Sequence, residues 1–177
     1  MEDIKTMAEH FHSQGFSCAE SVVKACDNCL NLDLSDDALR MASGLGGGLG
    51  GSGCVCGALN GACLILGVVA GRKELHDRTK PEIYKNIREF QQLFTKTFGS
   101  TCCHVLKGPE LHVSCENLTG RTAEMVAGFI KERALQKWVC HREVGAPSMD
   151  KDIEYMQIAL EEARQAAAEG EIPVGAV

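Results

Sequence analysis

From Met41 to Gly71 the chain carries no charged side chain, and seven glycines fall between Gly44 and Gly53. Glycine is about 1 kcal/mol worse than alanine inside a helix, so the first half of this stretch is not a surface helix. Its use is either as a flexible connector or as backbone that approaches a neighbouring element closely. The second half is densely apolar and predicts a fully buried core helix over about 55–70. The apolar run Ala62 to Ala70 is nine residues long, against about 20 for a bilayer crossing, which speaks against a membrane span. The rest of the chain has to pack around that helix.

Helical spacing dominates the remainder. Ile4, Met7, Ala8 and Phe11 recur at three- and four-residue steps over 2–14, and Gly15 ends that helix. Ser17 is placed to cap the next, which carries Ala19, Val22, Val23, Cys26 and Leu30. Ser35, Asp36 and Asp37 open a third, holding Leu39 and Met41. Thr79, Pro81 and Glu82 start a long helix through Tyr84, Ile87, Phe90, Leu93 and Phe94 to Gly99. A further amphipathic helix covers about 116–138. No alternating strand is seen before residue 170. The expected fold is all-α: a compact bundle of five or six helices with a glycine-rich loop, plus an appended C-terminal helix.

A chain of 177 residues suits one domain of ordinary size with an appendage. With 45% hydrophobic but 5% aromatic residues, the core is built mainly from aliphatic side chains. The net charge of −6 gives no basic surface for nucleic acid. Residues 149–177 hold seven Asp/Glu and two Lys/Arg, and so supply −5 of it. The expected organisation is a cysteine-rich helical domain over 1–140, a Gly/Pro linker over 141–148, and a separate piece over 149–177.

Ten cysteines are many for this length. The start MEDIKTMAEHFH lacks the basic and apolar regions of a secretory signal. The expected location is therefore cytoplasmic, where clustered cysteines serve as metal ligands, redox pairs or buried small hydrophobes. Cys56 and Cys63, seven apart, and Cys18 and Cys29, eleven apart, are each expected on one helix face. Backbone N–H groups at a helix start near Cys54 and Cys56 favour a thiolate. Cys26 and Cys29 form a CxxC without the surrounding pattern that makes it a strong redox motif. Gly46-x-Gly48-x-x-Gly51 matches a dinucleotide pattern, but a helix and not a strand leads into it. His104 is read as an orienting neighbour of Cys103 or as an ordinary exposed histidine.

These elements occur in a recognisable order: Gly15-Phe16-Ser17-Cys18-Ala19-Glu20; the glycine tract running into Cys56-Gly57-Ala58-Leu59-Asn60-Gly61; Phe98-Gly99-Ser100-Thr101-Cys102-Cys103-His104-Val105-Leu106; and Cys115-Glu116-Asn117-Leu118. Over about 5–135 the chain resembles the redox-active family named for its C-GCAxxG-C-C cysteine pattern. The resemblance implies that Cys18, Cys56, Cys103 and Cys115 are the redox or ligand residues, with Cys102 the alternative to Cys103. Gly48, Gly51, Gly53 and Gly57 are then the candidates to border a bound group. It also implies a redox role or an iron–sulfur cluster, with an oxidoreductase or transporter-associated protein as partner. Four thiolates suit such a cluster or a zinc ion, and equally make two dithiol pairs. A non-catalytic metal-binding or scaffold module is the alternative of a different class.

The tail carries a second resemblance. Glu154-Tyr155-Met156 through Glu171-Ile172-Pro173-Val174-Gly175-Ala176-Val177 is similar to the opening of a tRNA-specific adenosine deaminase. That chemistry needs a His-x-Glu and a Pro-Cys-x-x-Cys motif. The Pro-Cys-x-x-Cys motif is absent from this sequence, and its one His-x-Glu triplet, His141-Arg142-Glu143, precedes the resembling segment, so no deaminase activity is expected.

Overall fold

The computed structural model describes residues 3–72, 74–75, 80–133 and 135. The expected linker and the 149–177 segment lie outside the described residues. In chain order the elements are α1 (Ile4–Ser13), α2 (Cys18–Leu30), α3 (Asp36–Arg40), a 3-10 turn (Ser43–Leu45), α4 (Gly57–Ala70), α5 (Lys80–Phe98), α6 (Cys103–Lys107) and α7 (Cys115–Glu132). The protein is all-α. Among the described residues extended pairing is limited to one antiparallel bridge, Val55 with Cys102.

Local chemistry accounts for the helix ends. Gly15 takes φ 102° after α1, the left-handed conformation glycine adopts without a Cβ penalty. Ser17 caps α2 in a complete capping box: its hydroxyl accepts from the Glu20 N–H, and the Glu20 carboxylate accepts from the Ser17 N–H. Ser35 caps α3 in the simpler way.

The core is the apolar α4 wrapped by α2, α5 and α7, with α1 laid along α7. Val22 and Val23, Ile65, Leu66 and Val69, Phe90 and Phe94, Leu106, and Val126 and Ile130 are all essentially inaccessible. Each such side chain contributes about 1.5–3 kcal/mol by leaving water. Phe90 meets Phe129 edge to face, with centroids 5.5 Å apart.

The one polar side chain of α4, Asn60, explains how the glycine tract is held. Its amide donates to the carbonyls of Leu45 and Val55, at the two ends of the tract, at 3.4 and 3.3 Å. Between them the backbone takes five successive positive φ values, 59°, 76°, 65°, 59° and 83° from Gly47 to Gly51. Four of these residues are glycine; Leu49 is not. A left-handed run of this kind costs L-residues roughly 1–2 kcal/mol each, which is why the tract is so poor in side chains. The dinucleotide pattern is thus embedded in a left-handed turn that follows a helix and a 3-10 turn.

Two glycines of the CGAxxG motif serve packing. Gly57 and Gly61 are one turn apart on α4. A Cβ on Gly57 would sit 3.3 Å from the Cys18 Cβ, and one on Gly61 would sit 2.7 Å from the Ala19 carbonyl oxygen. Their bareness lets α4 approach the first turn of α2 at backbone distance.

Candidate functional site: four thiols at helix starts

Cys18 is the first residue of α2, Cys56 the N-cap of α4, Cys103 the first residue of α6 and Cys115 the first of α7. Helix starts carry unpaired N–H groups and the positive end of the peptide dipoles, which favour a thiolate. All four are unbridged thiols. Cys56 and Cys103 are buried, Cys18 and Cys115 partly exposed.

The structure brings the four together. Cys18 lies against Cys115 and within electrostatic reach of Cys56. Cys56 lies within electrostatic reach of Cys103 and Cys115, and Cys103 of Cys115. The neighbouring Cys102 turns elsewhere, its thiol facing the Gly53 carbonyl at 3.5 Å. Cys29 contacts Met7 Sδ at 3.9 Å in the last turn of α2, and Cys63 packs on the margin of the core. The same-face spacing of Cys18 with Cys29 and of Cys56 with Cys63 therefore does not translate into facing thiols. The active ends of both helices are their N-termini, and the second cysteines lie two to three turns away.

The four thiols are not equivalent. The Cys18 S–H, held toward Cys115 and buried, is pushed well above the ordinary thiol range. Cys115 moves the opposite way, down to about 6, mainly because it receives that hydrogen bond; Lys107 and His12 add to the effect against the cost of burial. The two directions are one effect of the close pair, with Cys115 the more acidic thiol and Cys18 the less acidic. Burial raises Cys56, opposed by the N–H groups of Leu59 and Ala58 at the start of α4. Burial also raises Cys103, opposed by Lys107.

The glycines read as candidates are placed around these thiols. A Cβ on Gly48 would come within 2.7 Å of the Cys103 Cβ and of the Cys54 nitrogen. Gly57 borders Cys18 as described above. Gly53 faces His104, whose N–H donates to the Gly53 carbonyl at 2.9 Å. Gly51 has open space where its Cβ would be. The backbone here is locked to the segment of Cys102 and Cys103: Cys56 N–H donates to the Thr101 carbonyl at 2.8 Å and Cys103 N–H to the Cys54 carbonyl at 2.6 Å.

Three neighbours had escaped the sequence reading. His12 Nε2 is 3.7 Å from Cys18 Sγ. The buried Thr119, one turn beyond Cys115 on α7, faces Cys18. Lys107 closes α6 beside Cys103 and Cys115. The i, i+4 spacing of Cys115 and Thr119 was a signal that could have found the second; nothing local marks His12.

Among the described residues no three His, Cys, Asp or Glu side chains form a set that could hold a metal ion.

The all-α bundle thus sets four thiols at helix starts, with Cys115 the most acidic of them. Residues 16–129 match the family described as "Putative redox-active protein (C_GCAxxG_C_C)". The chain belongs to that family. An uncharacterized protein of Archaeoglobus fulgidus is 28% identical over 132 residues, covering 66% of this chain and 86% of the relative. No solved structure matches the chain significantly. No described helix is long and apolar enough to cross a membrane.

Proposed function

We propose that this chain is a thiol–disulfide redox protein in which Cys115 attacks and Cys18 closes the disulfide. The observation that carries the reading is the pairing of Cys18 with Cys115 at the starts of α2 and α7, where Cys115 is the more acidic of the two thiols. The step balances with a disulfide as oxidant. The Cys115 thiolate attacks one sulfur of the substrate, forms a mixed disulfide and expels a thiolate. Cys18 then attacks the Cys115 sulfur, the mixed disulfide breaks, and the second substrate thiolate leaves. Two electrons pass from the protein to the substrate. Cys56 and Cys103 are a second, more buried pair beside the first. The cycle calls for a reductant, so an oxidoreductase is the implied partner; a transporter-associated partner and a cytoplasmic setting remain compatible with it.

A cluster or zinc on the same four cysteines is the competing reading. Their number and common location favour it, and the lack of a ready ligand set opposes it. Anaerobic purification followed by iron and zinc analysis, and by peptide mass spectrometry after mild oxidation, separates the two. The dithiol reading expects a Cys18–Cys115 disulfide that dithiothreitol reverses, with metal well below one per chain. Stoichiometric iron or zinc that disappears in Cys115→Ser would replace it with the metal reading.

The deaminase resemblance of 149–177 lies outside the described residues and outside the matched span of 16–129. With the Pro-Cys-x-x-Cys zinc ligands absent from the sequence, the expected result is no adenosine deamination by the purified chain. Turnover of a tRNA substrate would overturn that expectation.

A further inference from the structure

In the resting arrangement Cys18 faces Cys115, the more acidic thiol of the pair. Once Cys115 is capped in a mixed disulfide its sulfur carries no charge and is a poor acceptor. Cys18 must then lose its proton elsewhere before it can attack, because the thiolate and not the thiol is the nucleophile. Two polar groups face it that the redox reading has not yet used.

His12 is the first. It stands at the end of α1, half-buried, with Nε2 at 3.7 Å from Cys18 Sγ, inside hydrogen-bonding range for sulfur. A ring in that position can take a proton from the buried thiol and pass it to water. Thr119 is the second. It is fully buried, and its hydroxyl has no hydrogen-bond partner apart from the Cys18 sulfur that it faces. Threonines in helices commonly donate to the carbonyl one turn back, as Thr122 does to Leu118 at 2.6 Å on the same helix. Thr119 makes no such bond and faces the Cys18 sulfur instead. A buried hydroxyl with only a weak sulfur acceptor is costly, and the cost falls in a state where that acceptor carries charge. An ionised Cys18 is that acceptor.

Resting on the dithiol reading, we propose that His12 and Thr119 make Cys18 the resolving thiol. His12 Nε2 accepts the Cys18 proton after Cys115 has been capped, and Thr119 donates to the thiolate that results. Cys18 then bonds to the Cys115 sulfur, the bond between Cys115 and the substrate sulfur breaks, and the departing thiolate keeps the electron pair. The proton on His12 goes to water. His12 is thus a proton acceptor at the reacting sulfur, and Thr119 a positioning residue.

Single-turnover reaction of the full chain with dithiobis(nitrobenzoate) separates the two steps, when acid-quenched samples are read by peptide mass spectrometry. The first rate is appearance of the mixed disulfide on Cys115; the second is its conversion to the Cys18–Cys115 disulfide. His12→Gln is expected to slow the second rate by at least about tenfold, less than a fully positioned base supplies, and to slow the first far less, since His12 is the smallest of the causes that lower Cys115. Added imidazole should restore the second rate. Thr119→Val, nearly the same shape without the hydroxyl, is expected to slow the second rate severalfold with no imidazole rescue, and Thr119→Ser to recover it. Equal second rates in the wild type and both variants overturn the proposal. So does a parallel fall of both rates, which would mark a merely structural role. A wild-type chain that never forms the Cys18–Cys115 disulfide overturns the dithiol reading itself, a distinct result.

Discussion

Gly61 of α4 lies against Ala19 of α2 so closely that an added Cβ would stand 2.7 Å from the Ala19 carbonyl oxygen and 3.2 Å from its Cα. Both atoms are backbone, so α2 would have to move as a whole. Gly61→Ala gains up to about 1 kcal/mol of helix propensity, but overpacking at such a contact costs typically about 1–3 kcal/mol. The expected outcome is a net loss of stability in chemical denaturation. Because Cys18 and Ala19 are adjacent in α2, the same variant should also slow formation of the Cys18–Cys115 disulfide.

The left-handed loop gives an opposed pair of substitutions. Gly48 has φ 76° and would place a Cβ 2.7 Å from the Cys103 Cβ. Gly48→Ala is expected to lose about 2 kcal/mol or more, from backbone strain plus overpacking. Leu49 has φ 65° and is about half exposed. Leu49→Gly relieves roughly 1–2 kcal/mol of strain and loses part of it to the more flexible unfolded chain. A slightly higher melting temperature is therefore expected for Leu49→Gly, and a clearly lower one for Gly48→Ala.

The long elements were legible because their apolar residues keep a helical period and their ends carry chemical signals. Gly15, Ser17 and Ser35 mark boundaries that the backbone then adopts. The bare glycine backbone was read as close approach to a neighbour, and Gly48 beside Cys103 is an instance. The short α6 was missed, because five residues are too few for periodicity and its start at Cys103 depends on bonds to Cys54 and Gly53 from across the chain. The same-face cysteine spacings did not locate the site, since spacing along a helix says nothing about which end meets the next helix. Cys56 stands just before α4 as its N-cap, while Cys63 lies within the helix. His12 was illegible for a related reason: its approach to Cys18 is made by the turn at Gly15 and the packing of α1 on α2 and α7.

Asn60 is expected to be the main tether of the glycine tract. Asn60→Leu removes both amide bonds to Leu45 and Val55 while keeping the side chain's volume. The loss of two part-buried hydrogen bonds should cost about 1–3 kcal/mol. Hydrogen exchange should quicken at Cys54, whose N–H is bonded to the Gly48 carbonyl at 3.0 Å. Unchanged exchange there, with stability lost, would place the tether elsewhere.

The ionisation of Cys115 makes the last prediction, and the sign of its effect can be worked out. A thiol ordinarily titrates near 9.0, and Cys115 is lowered to about 6, first by the hydrogen bond from Cys18 and then by Lys107 and His12. Its alkylation by iodoacetamide, followed by peptide mass spectrometry, should rise with a midpoint near pH 6 and be nearly flat by neutral pH. Cys18→Ala removes the largest cause and should move the midpoint upward by more than Lys107→Ala does. The same ionisation enters folding. Because the folded value is depressed, the unfolded chain binds the extra proton between pH 6 and 9, so stability rises with pH across that window and is lost as pH falls through 6. Cys18 and the buried Cys56 have the opposite sign: they stay protonated in the fold, and stability falls as pH rises above the ordinary thiol value. A shallow maximum at mildly alkaline pH is the expected profile, its rising limb damped by the partial exposure of Cys115 to solvent. Cys115→Ser should abolish the rising limb. If denaturation of that variant keeps the same slope between pH 6 and 8, the thiolate is not at Cys115.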